Sequence, residues 1–232
     1  MVRDSKVKSS VYEFSELWEL LTDEQRKIVQ ENHQIRKYKK NEIIYSEGDT
    51  PRYIMCLLKG KVKIYKDGVG GRSQIIRMIR PVQYFGYRAY FAAEDYVTSA
   101  AAFEASTVLF VEMDIICKFL ETNFKIAQFL IKELSVDLGI ADERTVTLTQ
   151  KHVRGRLAEA LLFLKDNYGM EDDNLTLNIY LSREDLAGLS NMTTSNAIRT
   201  LTLFANEKLI IVDGRKIMIL DEERLRQISK IG

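Results

Sequence analysis

The chain has 232 residues, of which 46% are hydrophobic and 29% charged, with 34 Lys and Arg against 33 Asp and Glu. This balance excludes an intrinsically disordered chain and a polycation that binds nucleic acid by bulk charge alone. The two cysteines, Cys56 and Cys117, are too few for a disulfide framework or a structural zinc site. The N-terminus lacks the apolar core of a signal peptide, and no apolar run approaches the roughly 18 residues of a membrane span. We therefore expect a cytoplasmic protein without a membrane span.

The first half of the chain changes from a helical to a β-rich pattern. Residues 14–36 predict helix, because apolar residues from Phe14 to Leu21 recur at helical spacing and Thr22 is placed to cap a second segment. From about Tyr38 to Met113, short apolar runs alternate with turn signals such as Glu47-Gly48-Asp49 and residues 67–71. The expected strands are 42–45, 53–58, 61–65, 74–79 and 107–111. Strands at this spacing predict a small barrel or sandwich.

From Asp114 the pattern is helical over a long stretch. Six residues in it are spaced alternately three and four apart, as in the seam of a coiled coil. They are Ile131, Leu134, Leu138, Ala141, Thr145 and Leu148. The spacing favours a homodimer through this helix. An ordinary amphipathic helix on its own core is the alternative, because Ala141 and Thr145 are weak seam residues.

The last third of the chain predicts a helix-turn-helix followed by a hairpin. After a helix over 153–168 and a strand over 175–181, Ser182 and Asp185 form a capping box that begins one helix, and Thr193 is placed to cap a second. An Asp213-Gly214 turn between two apolar runs is typical of a β-hairpin. Two helices joined by a tight turn, with a hairpin after them, form a winged helix-turn-helix. A purely structural helical hairpin is the alternative.

These motifs, in this order, resemble the Crp/Fnr superfamily of transcription regulators, and the resemblance covers nearly the whole chain. It rests on Ser182-Arg-Glu-Asp-Leu-Ala and the hairpin, on Glu47-Gly48-Asp49 with residues 57–63, on Phe85-Gly86-Tyr87 with Thr98-Ser99-Ala100, and on residues 121–162. The implied fold is α+β. It would comprise an N-terminal β-roll sensor domain, similar to a double-stranded β-helix (1–113), a long dimerisation helix (114–152) and a C-terminal winged helix-turn-helix domain (153–232).

The resemblance implies a homodimeric, sequence-specific regulator that binds a palindromic site on double-stranded DNA and responds to an unidentified effector. The resemblance is also compatible with RNA polymerase as a partner. A regulatory β-roll whose winged helix binds a protein instead of DNA is the alternative. An enzyme is not expected, because the sequence has no Ser/His/Asp order, no HExxH motif and no phosphate loop.

The expected DNA-binding residues lie on the two helices of the helix-turn-helix. Ser182, Thr193 and the amides near His152 would position the DNA backbone, since helix N-termini favour phosphates. The residues expected to face DNA are Ser182, Arg183, Thr193, Thr194, Ser195, Asn196 and Arg199. Among them Arg199 is suited to guanine and Asn196 to adenine. From Val153 onward, however, 11 Lys and Arg face 12 Asp and Glu, which is unusual for a DNA-binding domain.

The expected effector pocket departs from the cyclic-nucleotide binders of the family. Its residues would be Phe85, Gly86, Tyr87, Arg88, Thr98 and Ser99. The family's binders carry Glu and Arg at the positions of Tyr87 and Thr98, and a Thr-Ser pair at the position of Ala141-Asp142. Without the Arg, a phosphate loses its charge-assisted partner, so cyclic AMP is not the expected effector. The pocket would take a small anionic or aromatic metabolite with Arg88 as its charge partner; alternatively, aromatic side chains fill it and Arg88 pairs with Glu94 or Asp95.

The positions of the cysteines and histidines, the residues that would bind an iron–sulfur cluster or haem, predict no cofactor. The iron–sulfur branch of the family uses N-terminal cysteines, and none precedes Cys56. Haem would need a histidine in the β-roll, whereas His33 and His152 both fall outside it. Cys56 and Cys117 are interpreted as packed thiols.

Overall fold

The computed structural model describes residues 16–68 and 72–231, so the expected helix start at Phe14 and the turn residues 69–71 lie outside the described residues. The described chain forms two compact units. The first comprises residues up to 66 and 77–138, and the second comprises residues 67–76 and those from 139 onward.

The first unit carries a β-roll of two four-stranded sheets, except that Asp67 of β4 and residues 73–76 of β5 group with the second unit. One sheet has the order β1 (Gln34–Tyr38), β8 (Ser106–Glu112), β3 (Tyr53–Lys59), β6 (Tyr84–Phe85), and the other has the order β2 (Ile43–Tyr45), β7 (Ser99–Ala102), β4 (Val62–Asp67), β5 (Ser73–Ile79). Its helices are α1 (Glu16–Leu20), α2 (Asp23–Asn32), α3 (Tyr87–Phe91), α4 (Met113–Thr122) and the first part of α5 (Phe124–Gln150). The β1–β8, β8–β3, β3–β6, β2–β7 and β4–β7 pairs are antiparallel.

Strand β3 is buried on both faces, which explains its continuous apolar run. Ile54 and Cys56 pack against the helices, in a cluster with Trp18, Phe119 and Ile126. Met55 and Leu57 point the other way because side chains alternate along a strand, and they join a second cluster inside the β-roll. That interior cluster also holds Tyr45, Val62, Ile64, Ile79, Phe85, Ala89, Tyr96, Ala100, Val108 and Phe110.

In this unit one expectation was wrong in detail, and strand β7 was missed. Helix α2 ends at Asn32, and residues 34–36, expected to be helical, form the start of β1. Pairing of Gln34 through Tyr38 with β8 overrides the local helical pattern. Strand β7 was not predicted, because Ser99 and three alanines have little β propensity. It forms because β2 and β4 pair with it on either side.

The second unit is helical with a two-stranded hairpin. After the end of α5 it contains α6 (Val153–Tyr168), α7 (Arg183–Leu189), α8 (Thr194–Asn206), β9 (Ile210–Asp213), β10 (Lys216–Ile219) and α9 (Glu222–Ile231). Its core is made of fully buried apolar residues on every element, including Leu157, Leu161, Leu186, Leu201, Phe204, Leu209, Ile217 and Leu225.

The predicted strand over 175–181 is not a regular strand. Only two isolated bridges form there, Met170 with Leu177 and Thr176 with Met218. The Asp173 carboxylate accepts hydrogen bonds from the backbone amides of Leu175 and Thr176, so these amides are not available to a ladder. Helix α9 was not predicted either, although Asp221 caps it by accepting from the amide of Arg224.

The expected α+β fold class is confirmed. An N-terminal β-roll of two sheets, the 27-residue helix α5 and a C-terminal winged helix-turn-helix follow one another along the chain. Within residues 16–68 and 72–231, no helix is long and apolar enough to cross a membrane.

Candidate nucleic-acid interface and effector region

Side-chain caps fix the start of both helices of the helix-turn-helix. The Ser182 hydroxyl oxygen accepts from the Asp185 amide at 3.0 Å and donates to the Asp185 carboxylate at 2.7 Å. Thr193 Oγ1 accepts from the Asn196 amide at 3.2 Å at the start of α8. Between the helices, Asn191 has a φ of 48°, a left-handed conformation that Asn tolerates better than most residues. The capping residues expected from the sequence therefore begin both helices, and Asn191 lies in the turn between them.

Buried Arg144 of α5 holds the C-terminal end of α7. Its Nη1 donates to the carbonyl of Ile76 at 2.5 Å, and its Nη2 donates to the carbonyls of Ile75 and Leu189, the latter at 3.0 Å. Leu189 ends α7, where backbone carbonyls have no partner within the helix. Next to it, a Cβ on Gly188 would lie 2.7 Å from the Ser73 carbonyl oxygen. Sequence reasoning missed the contact between Arg144 and Leu189, because the two residues lie 45 positions apart in the chain.

Helix α8 buries one face and exposes the other. Ala197, Leu201 and Phe204 are buried against the unit's core. Thr194, Ser195 and Arg199 are exposed, and Asn196 is half-buried. Among the described residues, the Arg199 guanidinium has no hydrogen bond or ion pair. The outward face therefore offers an unpaired cation and two hydroxyl groups within its first six residues.

Arg183, expected to contact DNA, is engaged within the unit. Its Nη2 donates to the Gly214 carbonyl at 2.6 Å and joins α7 to the turn of the hairpin. Its Nη1 is buried without a hydrogen-bond partner in the described part of the chain. The neighbouring turn residue Arg215 is exposed and makes no ion pair with any described residue. Sequence reasoning located this turn but missed Arg215 as a candidate phosphate contact.

Many acidic residues from Val153 onward are neutralised by ion pairs within the second unit. The unpaired arginines of this slightly acidic region can therefore still present positive charge to DNA. Glu207 at the end of α8 accepts a bidentate pair from Arg154, and the Arg154 Nη1–Glu207 Oε1 distance is 2.6 Å. This hydrogen bonding lowers the pKa of Glu207. The Arg154 guanidinium also lies over the Phe204 ring, 5.1 Å from its centroid. Other acids are paired in the same way, by Lys151 with Glu159, Lys165 with Glu222, Lys216 with Glu171, and Arg226 with Asp166 and Glu222.

In the first unit, the cassette segment (residues 84–99) packs into the core of the β-roll. Phe85 and Tyr96 are buried inside the β-roll, whereas Tyr87 is buried in the cluster between β3 and the helices. Gly86 has a φ of 87°, and a Cβ on it would lie 2.2 Å from Met55 Cε and 3.2 Å from the Tyr96 hydroxyl. Burial raises the pKa of Tyr87. These contacts favour the alternative in which aromatic side chains fill the interior.

The polar residues of the cassette segment also have partners. Arg88 Nη2 donates to Glu94 at 2.7 Å, which is one of the two pairings expected if no ligand uses it. The Ser99 hydroxyl accepts from the Glu47 amide at 2.9 Å. Tyr45 stacks on Tyr96 with ring centroids 3.8 Å apart. Burial raises the pKa of Tyr45, and a hydrogen bond with Thr98 lowers it by less.

Both cysteines contact the cassette segment: Cys56 pairs with Tyr84 across β3 and β6 and packs in the same cluster as Tyr87. Cys56 is buried, and burial raises the pKa of its thiol to about 12, as expected for a packed thiol. Cys117 donates to the Tyr90 hydroxyl at 3.7 Å. His33 follows α2 with its Nδ1 3.0 Å from the Val29 carbonyl, and His152 precedes α6. Among the described residues, no three His, Cys, Asp or Glu side chains form a group that could hold a metal ion.

The expected dimer residues lie along α5 with different exposures. Ile131 is 60% and Leu138 is 63% exposed, large fractions for apolar side chains. Ala141 and Thr145 are also exposed. Leu134 and Leu148 are half-buried, and Leu134 packs partly on the first unit's own core. Ile131 and Leu138 therefore form part of an apolar stripe on α5 that the described residues of one protomer leave exposed.

Two family models match the chain and together span most of its length. The cyclic nucleotide-binding domain matches residues 35–123, and the Crp-like helix-turn-helix domain matches residues 155–228. These matches coincide with the β-roll and with the winged helix-turn-helix.

Curated relatives and solved structures agree with these models. The chain is 23% identical to the CRP-like cAMP-activated global transcriptional regulator of Mycobacterium tuberculosis, over 81% of this chain and 84% of the relative. It is 23% identical to the global nitrogen regulator of Synechococcus elongatus, over 84% of this chain and 89% of the relative. The structure of FixK2 from Bradyrhizobium japonicum superposes with a TM-score of 0.76 at 22% identity, over 85% of this chain and 97% of the other. At this identity the structural likeness shows the fold.

Proposed function

The chain belongs to the Crp/Fnr superfamily of DNA-binding transcription regulators, and from that membership we propose that it acts as a homodimer on a palindromic operator. Each protomer would insert α8 into the major groove of one half-site. The family consists of regulators, and we assign the chain no catalytic role. A regulator of chromosomal genes works where the chromosome is, so we place it in the cytoplasm.

The observation that carries this proposal is the outward face of α8. Arg199 has no partner among the described residues, and Thr194 and Ser195 are exposed beside it. In helix-turn-helix proteins the N-terminal residues of the second helix contact base edges. An unpaired guanidinium there suits the bidentate recognition of guanine O6 and N7. Asn196, half-buried at the same end, is suited to adenine.

Other groups would hold the DNA backbone without reading sequence. Thr193, which precedes α8, and Arg215, in the hairpin turn, are both exposed. His152 precedes α6, and its side chain does not cap the helix. Backbone amides at helix N-termini and arginine side chains are common phosphate ligands. Arg183 would contribute indirectly, because it holds the carbonyl of Gly214 in the hairpin turn.

The dimer would form along α5. Ile131 and Leu138 are exposed, and Ala141 and Thr145 continue the same stripe toward the half-buried Leu148. Burying such a stripe against a second copy removes apolar surface from water. A two-fold dimer presents two copies of α8, which is why a palindromic operator follows from it.

We propose that the effector is not cyclic AMP. Tyr87 and Thr98 stand where the family's nucleotide binders place Glu and Arg, and the nearby Arg88 is paired with Glu94. An effector that displaces these contacts would need to compensate for them. Contact with RNA polymerase would follow where the operator lies beside a promoter.

Selection from a random duplex library tests the proposal, followed by gel-shift on the enriched sequence. We expect a two-fold symmetric site, with half-sites about 10 base pairs apart centre to centre and binding that weakens as salt rises. The alternative, a winged helix that binds a protein, predicts no enrichment over many rounds at low salt.

A further inference from the structure

We propose that Ile198, supported by Thr202, reads the methyl group of a thymine in each half-site. This inference rests on the proposed function and adds one specificity-determining contact to it. Ile198 is apolar, whereas the base contacts expected from the sequence on the outward face of α8 all involve polar side chains.

Ile198 is exposed where a core residue would be buried. It is the fifth residue of α8 and is 47% exposed, whereas its neighbour Ala197 is fully buried. Thr202 lies four residues further on, so the two share one face of the helix. A β-branched apolar residue in water contributes little to helix stability. The fold therefore gives no reason for isoleucine at this position.

The chemistry of the pair matches a methyl group better than a polar base edge. Ile198 carries no hydrogen-bonding group. The Thr202 hydroxyl already donates to the Ile198 carbonyl at 3.0 Å, so its methyl group is the part left for an outside contact. In the major groove the thymine C5-methyl is the apolar feature of an A·T pair, and apolar side chains read it. Since Ile198 follows Ser195 by three residues and precedes Arg199, this contact would lie beside the guanine contact proposed for Arg199.

The test removes the methyl group from the DNA and the side chain from the protein. On the selected operator, each thymine is replaced in turn by deoxyuridine, which lacks only the C5-methyl group. Affinities are measured for the wild type, Ile198→Ala and Ile198→Val. For the wild type we expect about a fourfold loss at one position per half-site, the fold-change of one methyl-sized burial. Ile198→Val should keep most of this discrimination, and Ile198→Ala should lose it.

Leu203 provides a matched control on the same helix. It is 45% exposed, nearly the same as Ile198, but it is five residues further from the N-terminus and about 140° around the helix. Leu203→Ala should therefore discriminate thymine from deoxyuridine as the wild type does. Thermal unfolding of each variant shows that any change comes from contact rather than from folding.

The outcomes separate this inference from the proposed function. If the wild type selects an operator but Ile198→Ala loses as much as the wild type at every deoxyuridine position, Ile198 does not read a methyl group. The same conclusion follows if no thymine position responds. If the wild type selects no operator at all, the DNA-binding proposal itself fails, and this inference fails with it.

Discussion

The outward face of α8 and the cassette segment differ in how much of their chemistry the protein already uses. On α8, Thr194 and Ser195 are exposed, and Arg199 has no partner among the described residues. In the cassette segment, Arg88 is paired with Glu94 and the Tyr87 side chain is buried. One region is open to an outside partner, and the other is occupied by its own contacts.

Because of this difference, α8 can bind a partner without rearranging, and the cassette segment cannot. A guanidinium without an internal partner can bind a base without first breaking a hydrogen bond within the protein. Most of the free energy of that contact therefore contributes to DNA binding. A ligand in the cassette segment would have to displace packed rings and an ion pair first. The structure therefore supports a detailed proposal for DNA recognition and a negative one for cyclic AMP.

The largest expected effect comes from breaking the dimer, which would separate the two copies of α8 that bind the two half-sites. Ile131→Asp combined with Leu138→Asp would place like charges on an apolar seam, which we expect to cost about 3–5 kcal/mol of dimer stability. Light scattering should show a monomer, with operator binding lost and Trp18 fluorescence unchanged. Val136→Asp is the control, because Val136 is 52% exposed but lies off the seam. A double variant that stays dimeric would show that α5 is not the interface.

A second prediction sharpens the claim that the cassette segment is closely packed. Gly48 and Gly86 have φ values of 88° and 87°, but a Cβ on Gly48 meets nothing within 4 Å, whereas one on Gly86 meets Met55. Gly48→Ala should cost about 1 kcal/mol from backbone strain alone. Gly86→Ala should cost about 3 kcal/mol, because overpacking adds to that strain. Urea unfolding followed by the fluorescence of Trp18, the single tryptophan, compares them. Equal costs would mean that the segment yields easily and has room for a ligand.

A smaller effect concerns how α8 is held. Glu207→Gln breaks the partly exposed pair with Arg154, and we expect a loss of about 0.5–1 kcal/mol at neutral pH. Because Arg154 lowers the pKa of Glu207, this stability is present above the ordinary glutamate pKa and is lost as pH falls through the lowered value. Urea unfolding by circular dichroism at several pH values should show the difference between wild type and variant vanish in acid. A pH-independent gap for Glu207→Gln would contradict the role of the pair.

The smallest expected effect is none at all. Titration calorimetry with cyclic AMP should give no binding heat at physiological nucleotide concentrations, because the Glu and Arg of the family's binders are replaced by Tyr87 and Thr98. The operator DNA, titrated into the same preparation, confirms that the protein is active. A micromolar dissociation constant for cyclic AMP would show that the cassette segment opens for a nucleotide after all.

Local patterns predicted the helix-turn-helix well and the β-roll only in outline. The caps Ser182 and Thr193 act within three residues, so their partners are visible in the sequence. Strand β7 forms only because distant strands pair with it, and the Arg144 contact with Leu189 joins residues 45 apart. Nothing local marks such contacts. The same reasoning explains Ile198, whose exposure depends on which face of α8 the core covers.

We propose that α8 reads DNA sequence through Arg199, and binding of Arg199→Ala to a panel of single-base operator variants tests this proposal. Measured at two salt concentrations, the variant should lose about 1–3 kcal/mol on the selected operator and lose its preference at one base pair of each half-site. Arg215→Ala is the matched control, since a phosphate contact should weaken all sequences alike and reduce the salt slope by about one. If Arg199→Ala instead weakens every sequence equally and keeps the base preferences of the wild type, Arg199 does not read a base and the account of α8 is wrong.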